Sequence, residues 1–191
     1  LDKSTKMNPN LRYAQHVPGE TAGRCYGVID AYSFVNMLDG VQLLEKSKSF
    51  TAKDSKLLKA WFSRLLNWLL THPQAIEESR QKNNHAIAYD VQVAAYSLYT
   101  GNKAVFNDLI EQFPIRRIAT QIVEDGRQPH ELKRTLAFGY SHYNLSHIID
   151  LMLMIKHQGL DVNKYSIKGN HSFFKAMDFM ASYMGKSVTE W

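Results

Sequence analysis

Apolar positions recur at helical spacing along most of the chain, and where they stop, glycine, proline or a capping residue stands. Between Arg24 and Glu45, Ile29, Tyr32, Phe34, Val35, Leu38, Val41 and Leu44 share this spacing, which predicts a helix with Gly27 and Gly40 as weak points. Thr51-Ala52-Lys53-Asp54 reads as a capping sequence, and Leu57, Leu58, Trp61, Leu65, Trp68 and Leu69 line one face of a helix running through Leu70. A tryptophan stripe at this spacing reads as core. Thr71-His72-Pro73 ends that helix, and Gln74 to Gln81 is a short helical turn or a loop. From Asn84 the chain meets neither proline nor glycine until Gly101, which predicts a helix with His85 in its first turn and a glycine cap at its end.

A further helical pattern runs from Lys103 to Val123, with Pro114 starting a new turn or a kink and Gly126 as the stop. Gln128-Pro129-His130-Glu131 places proline at a first helical position and an acid where it suits the helix dipole, so one helix is expected from Pro129 to His157, bent near Gly139. A last helix begins near Ser172 and carries Phe173, Phe174, Met177, Phe179, Met180 and Tyr183 before Gly185. No strand pair with turn chemistry is predicted. Residues 1–23, with Pro9, Pro18, Gly19 and Gly23, form an irregular lead-in. The whole predicts a single all-α domain over residues 1–191, built of packed antiparallel helical hairpins, without the repeat of about 34 residues typical of a helical solenoid.

Composition narrows the class. A chain of 191 residues with 45% hydrophobic and 12% aromatic content can bury a core and is not a disordered segment. It opens on Leu1 and a polar stretch without an apolar leader, which reads as a processed chain or a piece of a longer one. The apolar run from Ile148 to Ile155, interrupted by Asp150, is too short for a bilayer, so no membrane insertion is expected. Cys25 is a single cysteine, which excludes an internal disulfide and a CxxC site. The net charge of +5 favours an anionic partner, yet the basic residues are scattered, which suits a lined cleft better than a basic tail. Nucleic acid, an anionic lipid surface and an acidic polysaccharide all meet that description. Nucleic acid rests on charge alone and is set aside.

Two stretches carry candidate chemistry. Asn83-Asn84-His85 puts two amides and an imidazole at a helix start, where they serve either as caps beside a satisfied histidine or as part of a site. Glu131, Arg134, Tyr140, His142, Tyr143, Asn144 and His147 give the helix after Pro129 an unusual density of ionisable and polar aromatic groups, which suggests the wall of a cleft. His147 and Asp150 lie three apart with His142 near, but no HExxH or similar spacing is present, so no metal is expected. The G-x-S-x-G elbow, the P-loop and the G-x-G-x-x-G motif are also missing. His16, His72, His130, His157 and His171 read as surface or cap residues.

Asn83-Asn84-His85 with Tyr89-Asp90-Val91-Gln92, then Asp125-Gly126-Arg127-Gln128-Pro129, Glu131-Leu132 and Arg134-Thr135-Leu136, then Tyr140-Ser141 and Asn144-Leu145, resemble the alginate lyase family of polysaccharide lyases. Trp61-Phe62 and Trp68 resemble it too, so the likeness covers roughly residues 24–184. Ala86-Ile87-Ala88 departs from the pattern, where glycine and a bulkier aromatic are expected. The resemblance implies an α/α toroid around a polysaccharide groove. At ordinary helix and loop lengths a toroid needs about 300 residues or more, so the chain is expected to be a segment of a larger catalytic domain.

The implied chemistry is β-elimination on a polyuronate without a cofactor. By resemblance, Asn84 and His85 fall on the family's Asn-His pair and Arg134 on its arginine, which neutralise the substrate carboxylate, and Tyr140 falls on the acid and base. Tyr143 is the alternative acid/base. Asn83, Tyr89, Tyr143 and His142 are the expected substrate contacts. Mannuronan or glucuronan is the expected polymer and the periplasm or the outside of the cell the expected place. A noncatalytic helical module that binds an acidic glycan is the alternative. On a regular helix Arg134 and Tyr140 stand about 120° apart, so both reach one site only through long side chains or a bend.

Overall fold

The computed structural model describes residues 7–20 and 22–187; the first six residues of the expected lead-in, Thr21 and the last four residues lie outside the described residues. The lead-in is irregular but tied down: the Trp61 indole N–H donates to the Met7 carbonyl at 2.7 Å, and the Gln74 amide donates to the Leu11 carbonyl at 3.3 Å. The helix expected from Arg24 is tighter than an α-helix at first. A 3₁₀ segment, Cys25–Tyr32, precedes α1, Ser33–Leu44.

Thr51 then caps α2, Ala52–Thr71, in a reciprocal capping box with Asp54, and Trp61, Phe62, Leu65, Leu66 and Leu69 go to the core. Pro73 opens α3, Pro73–Ser79, whose first amides are capped by the ring of His72. Next come α4, Asn84–Thr100, and α5, Lys103–Phe113. The α4–α5 turn relies on Gly101 at φ 78°, a left-handed cap that glycine adopts without strain.

Pro114 brings no N–H, and there the α-helical ladder gives way to a π-helical turn, Pro114–Ile118, followed by α6, Ala119–Gln121. Gly126 has φ 91°, and a Cβ there would lie 2.2 Å from the Lys175 carbonyl oxygen, so this turn needs glycine for its conformation and for its approach to the last helix. The single helix expected from Pro129 to His157 is two: α7, Pro129–Leu132, and α8, Ala137–His157, with the break at residues 133–136 rather than a bend at Gly139. Leu136 is exposed at the break, so no apolar burial holds that turn in the helix.

After α9, Val162–Ser166, a short antiparallel pair of β1, Ile167–Lys168, and β2, His171–Ser172, corrects the expectation of no strands. The turn is the dipeptide Gly169-Asn170, a hairpin signal too short to stand out among helical patterns. Ser172 caps α10, Phe173–Ala181.

Among the described residues the elements are helical apart from that hairpin, and α4 is their axis. It packs on the 3₁₀ segment, α1, α2, α3, α5 and α8. Its residues from Ala86 to Ser97 are buried without interruption, which is the pattern of a helix enclosed on every side. A bidentate pair braces it: Arg117 of the π turn reaches both oxygens of Asp90, at 2.7 and 2.9 Å, and also holds the Ser79 carbonyl at 2.8 Å. Among the described residues no helix is long and apolar enough to cross a membrane.

Candidate active site

The Asn83-Asn84-His85 block lies at the N-terminus of α4. Asn83 holds the cap position in an extended conformation, but its side chain makes no capping hydrogen bond. The cap comes from another element. Glu131 of α7 accepts the Asn84 backbone N–H at 2.6 Å, and its two oxygens accept the Asn84 amide at 3.1 and 2.9 Å. Both residues are 1% exposed. Burial raises the Glu131 carboxyl above its ordinary range, opposed by the Asn84 donors and by the charges of Arg134 and His85. The acid expected to serve the dipole of its own helix therefore serves that of α4.

His85 follows in the first turn. Its Nδ1 lies 2.7 Å from Oε1 of Glu78, a fully buried residue of α3. Burial raises the Glu78 carboxyl, and the His85 pairing opposes that rise. The edge of the exposed Tyr26 ring meets the imidazole at a centroid distance of 5.2 Å.

The break before α8 decides the rest of the site. Arg134 sits in the non-helical turn, and its guanidinium lies over the Tyr140 ring at 4.0 Å. The angular separation expected on a regular helix does not arise, because the helix is interrupted between the two residues. Further along α8, His147 stands between Tyr32, at a ring distance of 4.0 Å, and Tyr143, at 4.1 Å. The Tyr32 hydroxyl donates to Asp150. Neither nitrogen of His147 has a hydrogen-bond partner among the described residues, and burial, with the nearby His85, pulls its pKa down to about 4. His147 is neutral at physiological pH.

Amides join these parts. Asn144 donates to Gln121 at 3.2 Å and to Gln128 at 2.8 Å, Gln121 donates to the Asn83 carbonyl at 3.3 Å, and Gln128 to the Ser141 carbonyl at 3.1 Å. The acceptor oxygens of Asn83 and Asn144 and the Ser141 hydroxyl are buried without partners among the described residues.

The structure thus ties Asn84 to Glu131 and His85 to Glu78, sets Arg134 over the Tyr140 ring, and packs Tyr143 against His147. It moves three expectations. Tyr89 is not at the site: its ring is buried in the core and its hydroxyl donates to the Leu69 carbonyl at 2.9 Å. His142 is exposed and, at about 100° per residue, stands on the side of α8 opposite Asn144, so it does not line the site. Asn84 is buried, and Glu131 holds both its backbone N–H and its side-chain amide, so its first role is to order the site.

Glu78, Gln121, Gln128, Tyr26 and Tyr32 were not legible as site residues, since no motif or spacing ties them to His85. Among the described residues no group of three or more His, Cys, Asp or Glu side chains is arranged to hold a metal ion.

Comparison with known proteins agrees with the resemblance carried by the two blocks. The family model for alginate lyase matches residues 1–191. A crystal structure of an alginate lyase from Bacteroides ovatus matches with a TM-score of 0.95 and 45% sequence identity, covering 100% of this chain and 50% of that one. The chain therefore spans half the length of that solved protein. No curated protein matches. With the family model matched from end to end, and the Asn-Asn-His and Arg134–Tyr140 blocks joined through Glu131, this chain belongs to the alginate lyase family.

Proposed function

We propose that the chain carries the reacting groups of a polysaccharide lyase that cleaves a β-linked polyuronate, mannuronan or glucuronan, by β-elimination. A proton leaves C5 of a uronate, its electrons form the C4–C5 double bond, and the C4–oxygen bond breaks with a proton delivered to the leaving oxygen. The C5 proton lies beside an ionised carboxylate and is very weakly acidic, so charge building on that carboxylate must be stabilised. Arg134 and His85 are suited to that work. Tyr140 takes the C5 proton and returns it to the leaving oxygen, which one group can do when both lie on the same face of the sugar, as in mannuronate and glucuronate.

One observation carries this reading: the Glu131 carboxylate binds Asn84 directly and feels both Arg134 and His85, so two blocks some fifty residues apart in sequence meet at one place. Tyr140 is favoured over Tyr143 because Arg134 lies over its ring, whereas burial and the charge of Asp30 make the Tyr143 hydroxyl harder to ionise. The likeness to a solved alginate lyase of twice this length supports reading the helical hairpins as part of a larger catalytic domain; a toroidal form and a place in the periplasm or outside the cell belong to the proposal.

The test is ultraviolet absorbance of the unsaturated uronate, with the full-length protein incubated in turn with mannuronan, guluronan and glucuronan, beside Tyr140→Phe and Tyr143→Phe. Product from mannuronan or glucuronan that Tyr140→Phe abolishes, with polymer binding retained, supports the proposal. Binding without product on any polymer favours an acidic-glycan-binding module instead. Loss of turnover in Tyr143→Phe alone transfers the acid/base role to that residue.

A further inference from the structure

We propose that Glu78 is a positioning residue that orients His85, its carboxylate accepting the Nδ1–H so that Nε2 is the ring nitrogen turned to the substrate, where its N–H, when present, donates to the substrate carboxylate. The inference rests on the lyase reading for its kinetic consequence but not for its geometry. His85 Nδ1 is 2.7 Å from Glu78 Oε1, and Glu78 is fully buried while the imidazole keeps 14% of its surface exposed. The ring therefore has one nitrogen bound inside the protein, and the hydrogen bond on one nitrogen sets the state of the other.

A packing role alone is a poor explanation for this acid. Glu78 Oε2 is buried without a partner among the described residues, so the carboxylate carries a desolvation cost that a neutral acceptor would avoid. What a carboxylate adds is charge, which stabilises an imidazolium and orients the ring as partner acids do for histidines in metal and hydrolase sites. Its placement is also rigid. Ser79, the next residue, has its carbonyl held by Arg117, and the same guanidinium clasps Asp90 of α4, so the acid and the histidine are braced by one side chain.

The titratable groups about the pair are Glu77 on α3, Cys25, Asp30 and Tyr26 on the 3₁₀ segment, Glu131 on α7, Arg134 in the turn after it and His147 on α8. Glu77 and Asp30 act on Glu78, and their negative charge opposes its ionisation. Each of these groups is left in place by substitution of Glu78, so a change in the tautomer of His85 reports the carboxylate.

The experiment uses the full-length protein with Glu78→Gln and Glu78→Ala, and reads the His85 ring nitrogens by nitrogen-15 NMR across pH together with kcat and KM. The wild-type ring should be the Nδ1–H tautomer. Glu78→Gln keeps an acceptor but no charge, so the Nδ1–H tautomer should persist while kcat falls about tenfold with KM changing less. Glu78→Ala should mix the tautomers and lower kcat by about tenfold to a hundredfold, with KM changing less.

An Nε2–H tautomer in the wild type, or a kcat unchanged in Glu78→Gln, overturns the inference, and neither depends on Glu78→Ala folding. If the wild type cleaves no polyuronate, the proposed function fails while the NMR result still decides the role of Glu78. If it cleaves one and kcat is unchanged in Glu78→Gln, the role of Glu78 fails and the lyase reading stands.

Discussion

Removing the Glu131 carboxylate tests whether one buried acid joins the two halves of the site. In Glu131→Ala, the Asn84 backbone N–H and the Asn84 amide lose the acceptors now at 2.6, 2.9 and 3.1 Å, in a place where Asn84 is 1% exposed and water is a poor substitute. An unsatisfied buried donor group costs about 1–3 kcal/mol, and two are created, but the variant also removes the desolvation cost of the acid. The net loss is about 2–4 kcal/mol, a fall in Tm of roughly 5–15 °C for a protein of this size.

Glu131→Gln keeps one oxygen but turns the other position into a donor facing a donor, so about 1–2 kcal/mol is expected. The pH dependence has a definite sign. Because the folded carboxyl is raised, the native state holds its proton to higher pH than the unfolded state, and wild-type stability falls as pH rises through the raised value. The deficit of Glu131→Ala should therefore be largest in acid and shrink toward neutral pH. Thermal unfolding by circular dichroism over pH 4 to about pH 8 measures it. Both variants within about 0.5 kcal/mol of wild type, or a deficit that grows with pH, would refute the assignment of Glu131 as the buried cap of α4.

Three other perturbations follow from the same structure. Asp90→Ala should destabilise by about 3–5 kcal/mol in denaturant unfolding because it strands the Arg117 guanidinium, and Asp90→Leu combined with Arg117→Met should recover most of that loss; equal losses in the single and double variants would argue against a buried pair. The folded pKa of His147, about 4, lies below its ordinary 6.5, so its contribution to stability is complete above about pH 6.5 and declines by about 3 kcal/mol as pH falls to about 4. The wild-type minus His147→Gln difference in unfolding free energy should show that slope, against the opposite slopes of Glu78 and Glu131, and a flat difference contradicts it. Tyr89→Phe should cost about 1 kcal/mol from the lost hydrogen bond to Leu69 and leave kcat/KM on the cleaved polymer unchanged, whereas a tenfold fall in kcat/KM would return Tyr89 to the site.

Much of the helical architecture is legible in the sequence because its signals are local. Thr51 with Asp54, Pro73, Gly101 and Ser172 act on amides or dihedrals within a few residues, and the structure uses each of them at an element boundary. The 3₁₀ segment before α1 and the break before α8 were not legible, since apolar spacing alone does not separate a tightened or interrupted helix from a continuous one. Asn84 shows how a local signal misleads. An asparagine at a helix start reads as its own cap, yet the acceptor that caps α4 lies 47 positions on, in Glu131.

By itself the sequence determined an all-α chain and, through two short blocks in order, its membership of the alginate lyase family. Residue type and short-range spacing carry that information, because capping, helical periodicity and a family's reacting groups are written within a few neighbouring positions. Only the tertiary structure decided that Tyr89 and His142 leave the site, that Glu78 takes one nitrogen of His85, and that Arg134 lies over Tyr140. These depend on which element packs against which and on where a helix breaks. Burial then selects among the polar groups, because away from water each donor must find its acceptor wherever the fold has put one.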